Sequence, residues 1–211
     1  AHDNAYKLII IIAGTTHLLV EQTTDRLIAD LRLSEPNAFL RWTVCPISDK
    51  DAAKSQAAAM NLKARLNAVA SVEPPLFQGI PIVVVMKNKA HLDKLNDLLD
   101  QVKLLGDVDF DKLPTLIVDD EAHMHTPDVG NDLTPSAVYQ CLRDLSEKFS
   151  RRSLLQYTAT PQANLLMEIA DELSPDFVRV LEPGQGYIGG NEIFGSLPNN
   201  SVRNILVGEV P

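Results

Sequence analysis

Cysteine and positive charge are scarce in this chain of 211 residues, and it contains no long hydrophobic run. Its two cysteines, Cys45 and Cys141, are far apart and in no metal-ligand spacing, which favours buried or free thiols in a reducing cytoplasm. The formal net charge is −9, which argues against a protein that coats nucleic acid with a general positive surface but permits a local basic groove. No apolar run approaches the roughly 20 residues of a membrane-spanning helix, and the N-terminal residues have no signal-peptide pattern. We therefore expect a cytoplasmic protein.

Short apolar runs alternate with helical patterns along the chain, and hydrophobic residues make up 45% of it, enough for one substantial core. The runs predict strands over Tyr6–Ala13, Arg41–Cys45, Ile82–Met86, Leu116–Val118, Ser153–Tyr157, Phe177–Leu181 and Ile205–Val207. Apolar spacing predicts helices over Leu18–Leu31, Asp49–Ala70, His91–Leu104, Pro135–Phe149 and Pro161–Leu173, with Thr134 as N-cap of the fourth. Apolar strands that alternate with helices are typical of βαβ units. The sequence thus predicts an α/β domain with a mostly parallel sheet and helices on both faces.

The most informative stretch is LIVDDEAHMHTPD, in which the apolar run Leu116–Val118 ends in the acids Asp119, Asp120 and Glu121, followed by His123. Ligands of open α/β sheets bind at the carboxyl ends of the strands. Adjacent carboxylates repel one another unless a cation or strong donors satisfy them. In nucleoside triphosphatases an aspartate at such a position holds Mg²⁺ and the next glutamate polarises the attacking water. The competing interpretation is a solvated acidic turn after a core strand.

A second motif, Thr158-Ala159-Thr160, follows the next predicted strand. Threonine hydroxyls at this position are placed to bond the carboxylates of the first motif and to respond to their state. Thr160 before Pro161 is also an ordinary helix N-cap, and the two functions are compatible. The second motif is weak evidence by itself, but it becomes strong evidence when it follows the acidic motif in this order.

These two motifs resemble motifs II and III of superfamily-two helicases and translocases, with DEAH at Asp120–His123 and TAT at Thr158–Thr160. The chain as a whole resembles the Z-one domain family, helicase-like ATPase modules of bacterial restriction and phage-defence proteins for which endonuclease activity has been suggested. The resemblance is carried by Ile11–Leu27, Pro81–Leu95, Leu116–His123, Tyr157–Leu166 and Ser174–Phe194. Together these segments span nearly the whole chain in the family's order.

The resemblance implies a RecA-like fold, the first motor domain of a DNA-directed ATPase used in restriction or phage defence. It implies that Asp120 holds Mg²⁺ through water molecules and that Glu121 activates the water that attacks the γ-phosphate of ATP. His123 would then relay to Thr158 and Thr160, which couple the nucleotide state to the DNA-facing helices. ATP and Mg²⁺ are the expected cofactors of the full-length protein.

The resemblance also implies a nucleic-acid contact in the region that corresponds to motif Ia. Its residues here are Gly14, Thr15, Gln22 and Thr23, which would face the backbone of DNA. Val20 departs from the family, which has a basic residue before the Gln-Thr pair. The expected partners are therefore DNA and, within a larger system, other defence or restriction subunits.

One departure from the family is larger. The phosphate-binding pattern GxxxxGK[ST] is absent, since the chain contains no Gly-Lys dipeptide. In the family this loop lies upstream of the first strand, and a second RecA-like domain follows the first. We therefore expect residues 1–211 to be one RecA-like domain, a fragment of a longer protein truncated at both ends, which alone binds nucleotide poorly and hydrolyses it negligibly.

Two alternatives come from other classes of protein. A stand-alone metal-dependent nuclease would use the acid–histidine cluster of Asp119, Asp120, His123, His125 and Asp128, because imidazole and carboxylate suit transition metals. A non-catalytic interaction scaffold would keep only the RecA-like shape.

Two further features have simpler interpretations. The glycine-rich segment Glu182–Asn191 is interpreted as a structural turn, because no helix N-terminus clearly follows it. The basic residues Lys87, Lys89, Arg151 and Arg152 flank predicted strands, where a nucleic-acid contact is conceivable but solvated side chains are the commoner outcome.

Overall fold

The computed structural model describes residues 4–36, 42–45, 52–70, 79–124, 136–160 and 173–181. The chain divides into two compact units, Ala1–Pro175 and Asp176–Pro211. In the first unit the strands are β1 (Leu8–Ala13), β2 (Trp42–Cys45), β3 (Ile80–Met86), β4 (Thr115–Asp119) and β5 (Arg152–Gln156). The helices are α1 (His17–Asp30), α2 (Ala52–Ala70), α3 (Lys89–Leu104) and α4 (Ala137–Glu147), and a 3-10 turn covers Phe110–Lys112. None of these helices is long and apolar enough to cross a membrane.

The five strands form one sheet in the order β2-β3-β1-β4-β5, and every neighbouring pair is parallel. β1 lies at the centre, and all six of its residues are buried. Parallel strands need covered faces, which explains why β1 and β3 are apolar at almost every position rather than at every second one. The predicted α/β fold with a parallel sheet is confirmed.

Side chains of β1 alternate between two separate apolar layers, because successive residues of a strand point to opposite faces. Leu8, Ile10 and Ile12 belong to the large core, which also contains buried residues of α2, α3 and α4. Ile9 and Ile11 belong to a smaller cluster, against which Leu27 and Leu31 at the end of α1 pack. Helices therefore cover both faces of the sheet, as predicted.

The four helices α1–α4 all begin at other residues than the sequence suggested, and for α3 and α4 the capping residues give the reason. α3 begins at Lys89 instead of His91, because the amide oxygen of Asn88 accepts a hydrogen bond from the His91 N–H at 3.0 Å. α4 begins at Ala137 with Ser136 as its N-cap, and not with Thr134, since the Ser136 hydroxyl accepts the Tyr139 N–H at 3.2 Å.

One predicted strand is wrong. In the second unit Phe177–Leu181 forms no strand, and the side chains of this stretch are exposed, so it lacks the paired and covered environment that a strand of this composition needs. The predicted helix within Pro161–Leu173 and the segments 182–191 and 205–207 lie outside the described residues, except for Leu173, which is buried in the large core.

Candidate functional site

The topology of the sheet predicts a ligand-binding crevice at its carboxyl edge, between the ends of β1 and β4. The helix that follows β1 packs on one face of the sheet, whereas the helix that follows β4 packs on the other. Open α/β sheets bind ligands at such a reversal, because the two helices diverge and leave space above the strand ends. The turn Gly14-Thr15 and the acidic turn Asp120–His123 meet at this point of the sheet.

The acidic turn, defined here as Asp120–His123, is held from both sides by backbone hydrogen bonds. The Asp120 N–H donates to the carbonyl oxygen of Ile12 in β1 at 3.0 Å. On the other side, the Ala122 N–H donates to the carbonyl oxygen of Tyr157 at 2.8 Å, and the Tyr157 N–H donates to that of Asp119 at 2.8 Å. The turn is therefore fixed relative to both neighbouring strands.

Lys87 also reaches this turn. It directly follows β3, which is separated from β4 by β1. Its Nζ lies 2.5 Å from Asp119 Oδ1, and it donates hydrogen bonds to the carbonyl oxygens of Asp120 at 2.7 Å and Glu121 at 2.9 Å. The Lys87 and Asp119 side chains are 0% and 1% exposed. The interpretation of Lys87 as a solvated basic residue is therefore wrong, because the acidic turn supplies enough oxygen partners to bury its ammonium group. Lys89, Arg151 and Arg152 are exposed, as expected.

The backbone of Lys87 contacts the other turn of the crevice. Its N–H lies 3.1 Å from the Ala13 carbonyl oxygen and 3.3 Å from that of Gly14. A Cβ at Gly14 would lie 2.4 Å from Leu19 Cδ1 and 3.1 Å from Leu19 Cβ, so any larger residue at this position would displace the Leu19 side chain. A single residue thus touches both of the turns that carry predicted site residues.

Glu121 has an unusual backbone conformation, with φ of +52° in the left-handed region. Residues other than glycine adopt this region at a cost and cluster there at functional sites. The Glu121 N–H donates to Asp120 Oδ1 at 3.1 Å, which occupies one carboxylate oxygen of Asp120. The Glu121 side chain is 42% exposed, so its carboxylate is accessible to solvent.

The predicted link between the two motifs is present for Thr158 and indirect for Thr160. His123 Nδ1 lies 2.9 Å from Thr158 Oγ1 and 3.3 Å from Glu121 Oε2. Thr160 takes part through its backbone N–H, which donates to Thr158 Oγ1 at 3.0 Å. Glu121, His123 and Thr158 therefore form one connected polar chain across β4 and β5.

The predicted nucleic-acid residues lie in two places. Gly14 and Thr15 lie in the crevice, buried and half-buried respectively, whereas Gln22 and Thr23 lie in the second turn of α1. Gln22 is exposed and Thr23 half-buried, roughly 9 Å along the helix axis from the N-cap Thr16. The structure thus places the first pair beside the acidic turn and the second pair farther along the helix.

The histidines at the starts of α1 and α3 also lie together at this edge of the sheet. The rings of His17 and His91 are 6.1 Å apart and edge to face. Burial, helped by the nearby charges of Lys94 and His17, lowers the pKa of His91, so this ring stays neutral at lower pH than an ordinary histidine. His91 Nδ1 lies 2.8 Å from Asn88 Oδ1, which fixes the ring orientation.

Asp120 and Glu121 fit the Mg²⁺ that the resemblance implies, because their half-exposed carboxylates are hard oxygen ligands and Mg²⁺ in phosphate-transfer sites takes only one or two of them. In the described part of the chain no group of three or more histidine, cysteine or acidic residues is arranged to hold a metal. Asp119, one member of the alternative nuclease cluster, faces Lys87, while His125 and Asp128 lie outside the described residues.

Lys87 is the site residue that the sequence motifs did not indicate. The available signal was its place directly after the predicted strand Ile82–Met86, which brings it to the edge where ligands bind. Comparison with known proteins adds no assignment: the chain matches no protein-family model, and no curated protein matches it significantly.

Proposed function

We propose that this chain is the nucleotide-hydrolysing part of a helicase-like, DNA-directed ATPase of the restriction or phage-defence type. The observation that carries the proposal is the polar chain from Glu121 through His123 to Thr158, at the carboxyl edge of adjacent parallel strands. A solvated acidic turn needs no such connection to the next strand. An ATPase does, because the state of the nucleotide must be passed to other parts of the motor.

The two carboxylates would divide the work between them. Asp120 would hold Mg²⁺ through water, and the bound ion would supply charge stabilisation to the phosphates. Glu121 would orient and deprotonate the attacking water, for which its accessible carboxylate is suited. Asp119 would take no part in metal binding, since its carboxylate faces the buried Lys87 ammonium.

His123 and Thr158 would report on this reaction. A change in the charge of the Glu121 carboxylate would be felt at His123 Nδ1, 3.3 Å away, and His123 Nδ1 is hydrogen-bonded to Thr158 Oγ1. Thr160 would follow through its backbone N–H. The sequence has no GxxxxGK[ST] pattern, so we further propose that the phosphate-binding loop is contributed by another segment of the same protein.

DNA is the proposed effector, contacted through Gly14, Thr15, Gln22 and Thr23. Gly14 is linked to the acidic turn through Lys87, whose backbone N–H lies 3.3 Å from the Gly14 carbonyl oxygen and whose Nζ binds Asp120 and Glu121, and this gives a short route from a bound DNA backbone to the reaction centre. In a chain of net charge −9 this contact would be local rather than a general attraction, so DNA affinity should fall only moderately with salt.

The experiment is ATP hydrolysis by the complete protein that carries this chain, with Mg²⁺ and with or without DNA. We expect Glu121→Gln to lower kcat by about 10²–10⁴-fold, as for loss of a general base, with an unchanged Tm. The matched control is Glu147→Gln, which removes an exposed glutamate paired with Arg143 at the end of α4 and should leave kcat unchanged. Full turnover by Glu121→Gln, or no ATP hydrolysis by the complete protein, would reject the proposal.

A further inference from the structure

The Lys87 side chain is fully buried beneath the acidic turn. It is 0% exposed, although lysine is almost never fully buried without partners. An ammonium group has three hydrogens to donate. Three oxygens from three consecutive residues, Asp119, Asp120 and Glu121, lie within 2.9 Å of Nζ. Lys87 is therefore directed inward and is not presented to a ligand in the crevice.

The two carbonyl contacts are the informative ones. In an extended strand the backbone is pleated, so consecutive carbonyl groups point in opposite directions. The carbonyl oxygens of Asp120 and Glu121 instead converge on one nitrogen atom. This convergence requires the chain to turn at Glu121, which is the residue with the left-handed φ of +52°. An ion pair with Asp119 alone would not demand such a turn.

The geometry points to Lys87 as a positioning residue: its buried ammonium holds Glu121 in the left-handed conformation that turns the Glu121 carboxylate toward His123. The same residue anchors the neighbouring turn, because its backbone N–H lies within hydrogen-bonding distance of the Ala13 and Gly14 carbonyl oxygens. Lys87 thus sets the position of the acidic turn relative to Gly14-Thr15. The consequence for catalysis rests on the proposed function, whereas the consequence for the backbone does not.

The test must separate positioning from simple charge compensation of Asp119. Lys87→Met leaves a buried carboxylate uncompensated, so we expect a fall in Tm of about 10 °C or failure to fold. The decisive protein is therefore the double variant Lys87→Met/Asp119→Leu, which replaces the buried ion pair by apolar side chains of similar size and should regain most of the lost Tm.

The decisive measurement is the backbone chemical shifts of Glu121, which report φ and need no ligand. Positioning by Lys87 predicts that in the double variant these shifts leave the left-handed range. The control is Lys148→Met/Asp100→Leu, which removes another lysine–aspartate pair, between α3 and the end of α4, and should leave the Glu121 shifts unchanged. Left-handed shifts retained by Glu121 in the folded double variant would overturn the inference and reduce Lys87 to a partner of Asp119.

The kinetic measurement uses the complete protein. Since a misplaced catalytic group lowers the rate without removing substrate contacts, we expect the double variant to lose about 100-fold in kcat, with KM for ATP within about threefold of the wild type. A kcat equal to that of the wild type would overturn the positioning function. If the wild type hydrolyses no ATP, the proposed function fails, and the Glu121 shifts still decide whether Lys87 holds the turn.

Discussion

Two lysines separated by one residue in the sequence form ion pairs of equal length in opposite surroundings. Lys87 Nζ and Asp119 Oδ1 are 2.5 Å apart, and both side chains are buried between strands. Lys89 Nζ and Asp93 Oδ2 are also 2.5 Å apart, but they stand one helical turn apart on α3 with side chains 61% and 44% exposed. The two pairs share their chemistry and their distance, and they differ in burial and in what else the lysine and the aspartate contact.

The difference shows that distance alone does not measure what an ion pair does. Water screens the exposed pair and already solvates both partners when they are apart, so its formation gains little. The buried pair cannot return to water without unfolding the edge of the sheet, and its lysine also binds two carbonyl oxygens of the acidic turn. We therefore expect the exposed pair Lys89–Asp93 to contribute little to stability, and the buried pair Lys87–Asp119 to organise the candidate site.

The largest expected effect follows from removing the carboxylate of each pair in turn. Asp119→Ala leaves the Lys87 ammonium buried and uncompensated, which should cost about 3–5 kcal/mol of the free energy of unfolding. Asp93→Ala should cost less than about 1 kcal/mol. Urea unfolding of the two variants, followed by circular dichroism, measures both values. Equal losses in the two variants would show that burial does not distinguish the pairs.

Much of the fold can be predicted from the sequence, because an apolar run such as LIIIIA at Leu8–Ala13 is compatible with a covered parallel strand and with few other structures. The position of the carboxyl edge follows from the same pattern, and for this reason the sequence alone predicts that Asp120, Glu121 and Thr158 lie close together. Phe177–Leu181 shows the limit of this reasoning, since an apolar run becomes a strand only where a partner strand pairs with it.

The sequence distinguishes Lys87 from Lys89 only by its place directly after the predicted strand, and this place does not specify that Lys87 is buried. Their different burial depends on where β3 ends relative to β4, a long-range register that local pattern does not specify. The left-handed backbone of Glu121 could not be predicted for the same reason: local propensity places glycine or asparagine in that region, and here tertiary contacts impose it on a glutamate.

A smaller effect tests whether the backbone of Glu121, whose carbonyl oxygen binds the buried Lys87, is strained. Glu121→Gly should raise stability by about 1 kcal/mol, or Tm by about 2–4 °C, because glycine adopts positive φ without steric cost. Glu21→Gly is the matched control: Glu21 is an exposed residue within α1, where glycine should lower stability by about 1 kcal/mol. Thermal unfolding that shifts both variants downward by the same amount would show that Glu121 is not strained.

The smallest effect concerns the exposed pair and its pH dependence. The hydrogen bond from Lys89, supported by one from the Cys141 thiol and by the charge of Lys89, holds the pKa of Asp93 below its ordinary value of 3.8. A carboxyl group whose pKa is lowered on folding contributes stability above its unfolded pKa, and this contribution is lost as the pH falls from about 3.8 through the folded value. The difference in free energy of unfolding between the wild type and Asp93→Asn should therefore be small at pH 6, vanish toward pH 2 and shrink in high salt. A difference that stays constant from pH 6 to pH 2 would assign the effect of Asp93 to packing, and its contrast with the buried pair would then no longer be electrostatic.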